Sequence, residues 1–279
     1  MYNTDVNAMN GGKRDADVIV LIPHFNNLRG LFLSLESITG VEPVDVLIVD
    51  DGSKDKPDVD DLVKNFPAIN EIYLLSHNEN RGITYTLNKG IEFIQSIGRH
   101  KYIARLDAGD INDPERFKKQ VSYLEDHSDV YLLGSHVVFV DMNGKDVFRF
   151  RPPAMHEQIK RRMYVNNMFN HSSVMFRMEA LEKVGLYPTE YPHAEDYALF
   201  FRFVRNYRTA NLPEFLIRYE INPKGISLRN RQRQILSRLK VIRDNFDWSC
   251  FAFYGLFRNM ILLLLPYFMV EKAKTMVYR

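Results

Sequence analysis

Short continuous apolar runs alternate along this chain with stretches in which apolar residues return every three or four positions. Residues 18–22 (VIVLI) and 46–49 (VLIV) are β-branched-rich runs, the first stopped by Pro23 and the second by Asp50, Asp51, Gly52 and Ser53. Runs without alternation suit strands buried on both faces, as in a parallel sheet. Between them Leu28, Leu31, Leu35 and Ile38 recur at helical spacing, so the unit is βαβ. Residues 72–75 repeat the strand signal, Leu87, Ile91 and Ile94 mark one face of a helix over residues 83–97, and residues 102–106 form the next strand. This alternation through residue 110 predicts a doubly wound, nucleotide-binding half.

Further on, Pro114 in a first helical turn, with Asn112, Asp113 and Glu115 around it, opens a helix whose Phe117, Val121 and Leu124 face the core. Residues 130–140 read as a strand, 141–144 (DMNG) as a hairpin turn, 147–150 as the return, 159–164 as a short helix and 174–176 as a strand. A helix covers residues 197–204. From residue 229 the character changes: Arg229, Arg231, Arg233, Arg238, Lys240 and Arg243 decorate a helix whose apolar stripe is Ile235, Leu239 and Ile242. Residues 251–270 are strongly apolar but interrupted by Arg258 and Pro266; the part free of charge, 260–270, is 11 residues against the ~20 that a helix needs to cross a bilayer. The expectation is a helix lying in the membrane interface. Trp248, Tyr254 and Tyr267 would sit at that depth, with Lys272, Lys274 and Arg279 against anionic headgroups. A solvated face beside a buried C-terminal helix is the plainer alternative.

Composition changes this picture little. The 279 residues are 46% hydrophobic and 26% charged, ordinary for a globular chain, and Lys plus Arg exceed Asp plus Glu only by 37 to 35. No global field argues for nucleic acid, and the basic stretch 229–243 lacks interleaved aromatics. A single cysteine, Cys250, excludes an intrachain disulfide, and no signal-peptide pattern opens the sequence, so a cytoplasmic location is expected. Residues 1–17 are polar, without apolar period, and read as a loose tail.

The candidate chemistry lies where strands end. Residues 102–110 (YIARLDAGD) deliver Asp107 and Asp110 to the carboxyl end of a strand, where open α/β sheets bind ligands. Their oxygens suit Mg²⁺ or Mn²⁺, and the pair reads as the metal and phosphate end of a nucleotide-sugar site, a surface turn being the alternative. Pro23, His24, Phe25 and Asn26 follow the first strand and Asp50 and Asp51 the second, so both loops open on one edge. Asp51 could accept a base N–H and Phe25 cover the ring, although Asp50 to Ser53 also suits a helix cap and turn. Asn80 and Arg81 follow the third strand, Arg81 being placed to pair with phosphate or stack on a base.

Together, residues 18–26 (VIVLIPHFN), 48–53 (IVDDGS), 80–82 (NRG) with 88–90 (NKG), 102–110 and 193–197 (HAEDY) resemble a family 2 glycosyltransferase in order and spacing over about residues 17–228. The resemblance implies an α/β GT-A fold: a mostly parallel, Rossmann-like sheet flanked by helices. The GT-A domain would span residues 18–228, with a nucleotide-binding half at 18–110 and an acceptor half at 111–228. Residues 229–279 would add a membrane-associating helical extension. It also implies a nucleotide-diphosphate sugar donor, UDP-linked by its pattern, a divalent cation and inversion at the anomeric carbon. Bacterial members that build O-antigen, capsule or exopolysaccharide on polyprenyl-diphosphate carriers are the most similar, which implies a cytoplasmic enzyme peripheral on the inner face of the cell membrane. By the same resemblance Pro23, Phe25, Asn26, Asp51, Asn80, Arg81, Arg105 and Asp107 would hold the nucleotide. Asp107 and Asp110 would hold the metal, and Asp196 would be the base, with Glu195, His193 and His171 holding the acceptor or orienting the aspartate.

Two departures stand out. Relatives usually carry Asp-Ala-Asp-Asp where this chain has Gly109 at the third position, and Tyr-Arg-x-His-Pro where it has Tyr219, Glu220, Ile221, Asn222 and Pro223. They motivate a rival reading, a non-catalytic sugar-binding or assembly subunit.

Overall fold

The computed structural model describes residues 3–5, 15–221 and 230–265. The nucleotide-side half runs β1 (Asn3–Asp5), β2 (Val18–His24), α1 (Leu28–Glu36), β3 (Val44–Asp50), α2 (Val59–Asn65), β4 (Ile72–Ser76), α3 (Ile83–Ile97) and β5 (Tyr102–Arg105). Strands β4, β3, β2 and β5 lie side by side and parallel. Because each is covered on both faces, β2 splits its apolar residues between two cores. Ile19 and Leu21 join Leu47, Val49 and the α3 residues Leu87, Ile91 and Ile94. Val18, Val20 and Ile22 join Val46, Ile48 and the α1 residues Leu31 and Leu35.

The second half comprises β6 (Ile111–Asn112), α4 (Arg116–Asp126), β7 (Val130–Val140), β8 (Asp146–Phe150), α5 (His156–Met163), β9 (Met175–Arg177), α6 (Leu181–Val184), α7 (Glu195–Asn206) and β10 (Arg208–Glu220). It is followed by α8 (Arg231–Asp244) and α9 (Cys250–Leu264). Here the expectation of a mostly parallel sheet is corrected. The ten-stranded sheet, in order β1-β4-β3-β2-β5-β9-β7-β10-β6 with β8 beside β7, is mixed. Strand β9 runs antiparallel to both β5 and β7, β8 returns on β7 as a hairpin, and β6 is antiparallel to β10. The β7–β8 hairpin and the reversed β9 interrupt the βαβ order after β5, and it returns where β10 pairs parallel with β7 after helices α5 to α7.

Two elements escape the apolar pattern. Residues 3–5, within the polar stretch expected to be a loose tail, pair antiparallel with β4 at the sheet edge. Strand β10 is 13 residues long yet contains Pro213 and an exposed Glu214, and its pairing with β7 slips between Leu212 and Phe215. A bulge of this kind takes up the proline's missing donor and hides the strand's period. Among the described residues no helix is long and apolar enough to cross a membrane. Asn222, Arg229, Pro266, Tyr267, Lys272, Lys274 and Arg279 lie outside the described residues.

Candidate functional site

The loops leaving β2, β3 and β5 are tied to one another at the carboxyl edge of the parallel strands. His24 closes the first: its Nδ1 meets Asp50 Oδ1 at 2.9 Å, and its Nε2 accepts the Asn27 N–H at 3.2 Å. The Asn26 N–H donates to Ser53 Oγ (2.8 Å), while Asn26 Oδ1 accepts the Lys54 N–H (2.9 Å). These bonds hold Asn26 at φ 50°, and the neighbouring Phe25 is nearly half exposed. Asp51 reaches the other way, its two oxygens accepting the N–H groups of Arg81 (2.7 Å) and Gly82 (2.9 Å) where α3 begins. The two loops touch so closely that a Cβ at Gly52, where φ is +74°, would stand 2.4 Å from the Glu79 carbonyl carbon. Arg81 is exposed, lies over the Tyr85 ring at 4.9 Å and pairs with Glu79 at 2.9 Å. Asn80 is exposed beside it, and Pro23 is held within β2.

The turn carrying Asp107 and Asp110 is held from α1. Ser34 Oγ accepts the Gly109 N–H (2.9 Å) and lies within donor reach of the carbonyls of Asp107 (3.1 Å) and Asp110 (2.8 Å), and Asn27 Nδ2 donates to Ala108 O (2.9 Å). Arg105, fully buried, donates from Nη1 to Leu21 O, from Nε to His171 Nε2 (3.2 Å) and from Nη2 to Asp107 Oδ1 (2.5 Å). It therefore holds Asp107 and His171 from a fully buried position. Burial opposes ionisation of Asp107, but the Arg105 guanidinium and the bond from Ser172 outweigh it and hold the carboxyl below its ordinary value. Asp110 is the opposite case. Burial, and then the Asp107 charge, push it well above the carboxylate range; Ser172 Oγ donates to one of its oxygens and the Glu220 N–H to the other (3.0 Å).

Asp196 stands in the first turn of α7, where its Oδ2 accepts Asn167 Nδ2 at 3.0 Å. Asp107 and Asp196 both act electrostatically on the His171 ring and the Tyr187 hydroxyl, which are themselves 2.8 Å apart, so the four groups share one neighbourhood. Tyr219 at the end of β10 feels Asp110, Asp107 and Asp196 together. Burial, reinforced by Arg105, lowers His171 to about 4, which leaves its Nε2 an acceptor for Arg105 and Tyr187. Glu195 is buried, one carboxyl oxygen has no partner among the described residues, and burial followed by the Asp196 charge raises it to about 7. His193, at φ 64°, is lowered by burial and by Arg233 of α8.

Several contributors escape sequence reasoning because their partners are distant in the chain. Arg116, fully buried, donates to the carbonyls of Arg105 (2.9 Å) and Val174 (3.2 Å), locking β5 to the segment before β9. Ser34, Asn167, Ser172, Tyr187 and Glu220 belong with it. Only Asn27 carries a local signal, as a helix N-cap whose Oδ1 accepts the Gly30 N–H at 3.1 Å.

A parallel nucleotide-side half, loops tied together at its carboxyl edge and an acidic turn beside them fit a sugar-nucleotide transferase of GT-A architecture. The chain belongs to glycosyl transferase family 2, whose profile matches residues 19–185, and is a glycosyltransferase. It is 32% identical over 192 residues to the amylovoran biosynthesis glycosyltransferase AmsE of Erwinia amylovora, covering 67% of this chain and 70% of that protein. It is 28% identical over 255 residues to an uncharacterized glycosyltransferase of Methanocaldococcus jannaschii, covering 85% of each. An Escherichia coli UDP-Gal:alpha-D-GlcNAc-diphosphoundecaprenol beta-1,3-galactosyltransferase is 24% identical over 254 residues, covering 89% of this chain and 90% of that one. Among solved structures, the mannosyltransferase PcManGT from Pyrobaculum calidifontis, in complex with GDP-Man and Mn²⁺, superposes with a TM-score of 0.64 at 18% identity, covering 94% of this chain and 73% of that one. Staphylococcus aureus TarS 1–349 with UDP gives 0.61 at 16% identity, covering 88% and 70%. At such identities these likenesses establish the fold.

Proposed function

We propose that this enzyme moves one sugar, with inversion, from a UDP-linked donor to a hydroxyl of a polyprenyl-diphosphate-linked saccharide during surface polysaccharide assembly, working at the inner face of the cell membrane. The observation that supports this is that the charges of Asp107 and Asp196 both reach the hydrogen-bonded pair His171 and Tyr187. Phe25, Asn26, Asp51, Asn80 and Arg81 border the nucleotide side, and Asp107 marks the diphosphate end. The acceptor oxygen attacks the anomeric carbon from the Asp196 side as the bond to the diphosphate breaks on the opposite side. Asp196 takes the hydroxyl proton, and the nucleoside diphosphate leaves with the bonding electrons. One base suffices and no covalent sugar intermediate forms. Glu195 and His193 flank the acceptor, while His171, neutral and held by Arg105 and Tyr187, orients the sugar by hydrogen bonding. The relatives that assemble amylovoran and a diphosphoundecaprenol-linked saccharide support the acceptor class.

Among the described residues no group of three or more His, Cys, Asp or Glu stands ready for a metal, but two carboxylates with a bound diphosphate would offer the oxygen ligands that suit Mn²⁺ or Mg²⁺. Asp107, about a third of its side chain open, would hold it. Glu220 would join it, since its Oε1 lies 3.6 Å from where a Cβ at Gly109 would stand. Asp110 is already satisfied by Ser172 and the Glu220 N–H, and shapes the turn. Bound there, the cation would neutralise charge on the leaving diphosphate.

The Asp196→Asn variant tests the proposal. Its amide keeps the size and the contact with Asn167 but takes no proton, so turnover should fall by roughly 10²- to 10⁴-fold. Donor affinity measured by calorimetry should stay within about twofold, because the base acts on the acceptor. Wild-type turnover by this variant would remove the assignment.

A further inference from the structure

Helix α9 is built inside out. The residues it turns toward the body of the protein are Ala252, Gly255 and Asn259, all buried and spaced three and four apart, so they form one seam. A Cβ at Gly255 would stand 2.0 Å from the Tyr164 carbonyl oxygen, so the helix backbone lies directly on the segment after α5. Arg258 Nη1 donates to Val165 O (3.1 Å) and Arg231 Nη2 of α8 to Leu262 O (2.6 Å), holding that orientation. The opposite face carries Phe253, Tyr254, Phe257, Met260, Ile261 and Leu264, exposed by 38% at Ile261 and up to 85% at Leu264. A helix on a water-facing surface turns large apolar residues inward and polar ones outward. Single exposed apolar residues are ordinary, but six on one face over about 17 Å form a contiguous patch. Trp248, 80% exposed just before the helix, extends it.

Charge distinguishes what covers this patch. Residues 230–265 contain six basic side chains (Arg231, Arg233, Arg238, Lys240, Arg243, Arg258) and two acidic ones (Asp244, Asp247), a net +4. The whole chain is +2, so the remainder is −2. Pairing two copies through this face would bring two +4 hairpins together, whereas an anionic headgroup layer neutralises them. The 15-residue helix is about 22 Å long, short of the ~30 Å hydrocarbon core, so it lies along the interface. Helix α8 also lines the acceptor side, with Arg238 in electrostatic reach of Asp196 and Arg258, and Arg233 of His193. We propose that the outward face of α9 is a lipid-docking surface seated in the headgroup layer of an anionic bilayer, with α8 supplying the charge. Rested on the lipid-linked acceptor reading, this surface brings the site to the leaflet that carries the acceptor.

Co-sedimentation of the full chain with vesicles tests it, using phosphatidylcholine alone or with phosphatidylglycerol. The wild-type protein should bind the anionic vesicles about tenfold or more tightly than the neutral ones. The Phe253→Ser/Phe257→Ser variant should lose about tenfold or more of that binding, with an unchanged melting temperature because both residues are exposed. No wild-type binding, or equal binding by the variant, would overturn the proposal. A wild-type dimer that the variant dissociates would make the face a contact between copies, and equal binding with a lowered melting temperature would assign it to residues 266–279; either result overturns the lipid surface. Nucleoside-diphosphate binding measured alongside separates the two readings. Vesicle binding without nucleotide binding would sink the transferase site while leaving the docking surface standing.

Discussion

Glu195 makes the electrostatics of the site testable through stability. Its carboxyl lies 7% exposed in the first turn of α7 with one oxygen lacking any partner among the described residues. Burial, then the neighbouring Asp196 charge, raises it from an ordinary 4.5 to about 7. A raised carboxyl holds its proton in the native state at pH values where the unfolded chain has released it. Stability from this group is therefore fully present below pH 4.5, declines as pH climbs toward 7, and is gone above it. Each tenfold in proton affinity is about 1.4 kcal/mol, so forcing the charged form costs on the order of 3 kcal/mol above pH 7. Glu195→Gln imitates the protonated acid at every pH. Urea unfolding should show the variant and wild type within about 1 kcal/mol of each other at pH 5, and the variant ahead by roughly 2 to 3 kcal/mol at pH 8.5. A stability difference that does not change between those pH values would refute the reasoning.

Two further outcomes follow from the loops. Gly52→Ala must place a Cβ at φ +74° against the Glu79 backbone, prising apart the loops that Asp51 joins. It should cost about 3 kcal/mol or more in thermal or urea unfolding and weaken nucleotide binding; an undisturbed protein would mean that the loops are not in contact. Glu220→Gln should weaken Mn²⁺ binding, read by calorimetry or electron paramagnetic resonance with nucleoside diphosphate present, on the order of tenfold; an unchanged Mn²⁺ affinity would exclude Glu220 as a ligand.

The nucleotide-side half was legible because its strands are buried on both faces, and continuous runs such as residues 18–22 have no other economical placement. Beyond β5 the pattern thins for physical reasons. Strand β10 carries Pro213 within a bulge, and β9 has only three residues between turns. Sequence spacing likewise showed the carboxylates but not what surrounds them. Whether Asp110 faces a ligand or is satisfied inside depends on Ser172 and on the Glu220 N–H, 62 and 110 positions away. The apolar run near the C-terminus was plain in sequence, yet only the packing of Ala252, Gly255 and Asn259 shows which face is left for another environment.

The carboxyl groups of the site are set apart by their surroundings more than by residue type. Asp107 has the buried Arg105 guanidinium at 2.5 Å and is held below its ordinary value, while Asp110, three positions on, is pushed up by burial and then by the Asp107 charge. Glu195 adjoins Asp196 in sequence but is raised by burial and by that neighbour's charge, while Asp196 engages the Asn167 amide. Environments that drive neighbouring acids apart divide charge-holding from proton-handling roles. Gly109 belongs to the same division. With no side chain there, the turn can rest on Ser34 and Asn27 while the carboxylate of Glu220 approaches from β10. A negative group is thereby returned to the place where the motif has lost one, on a strand rather than a loop.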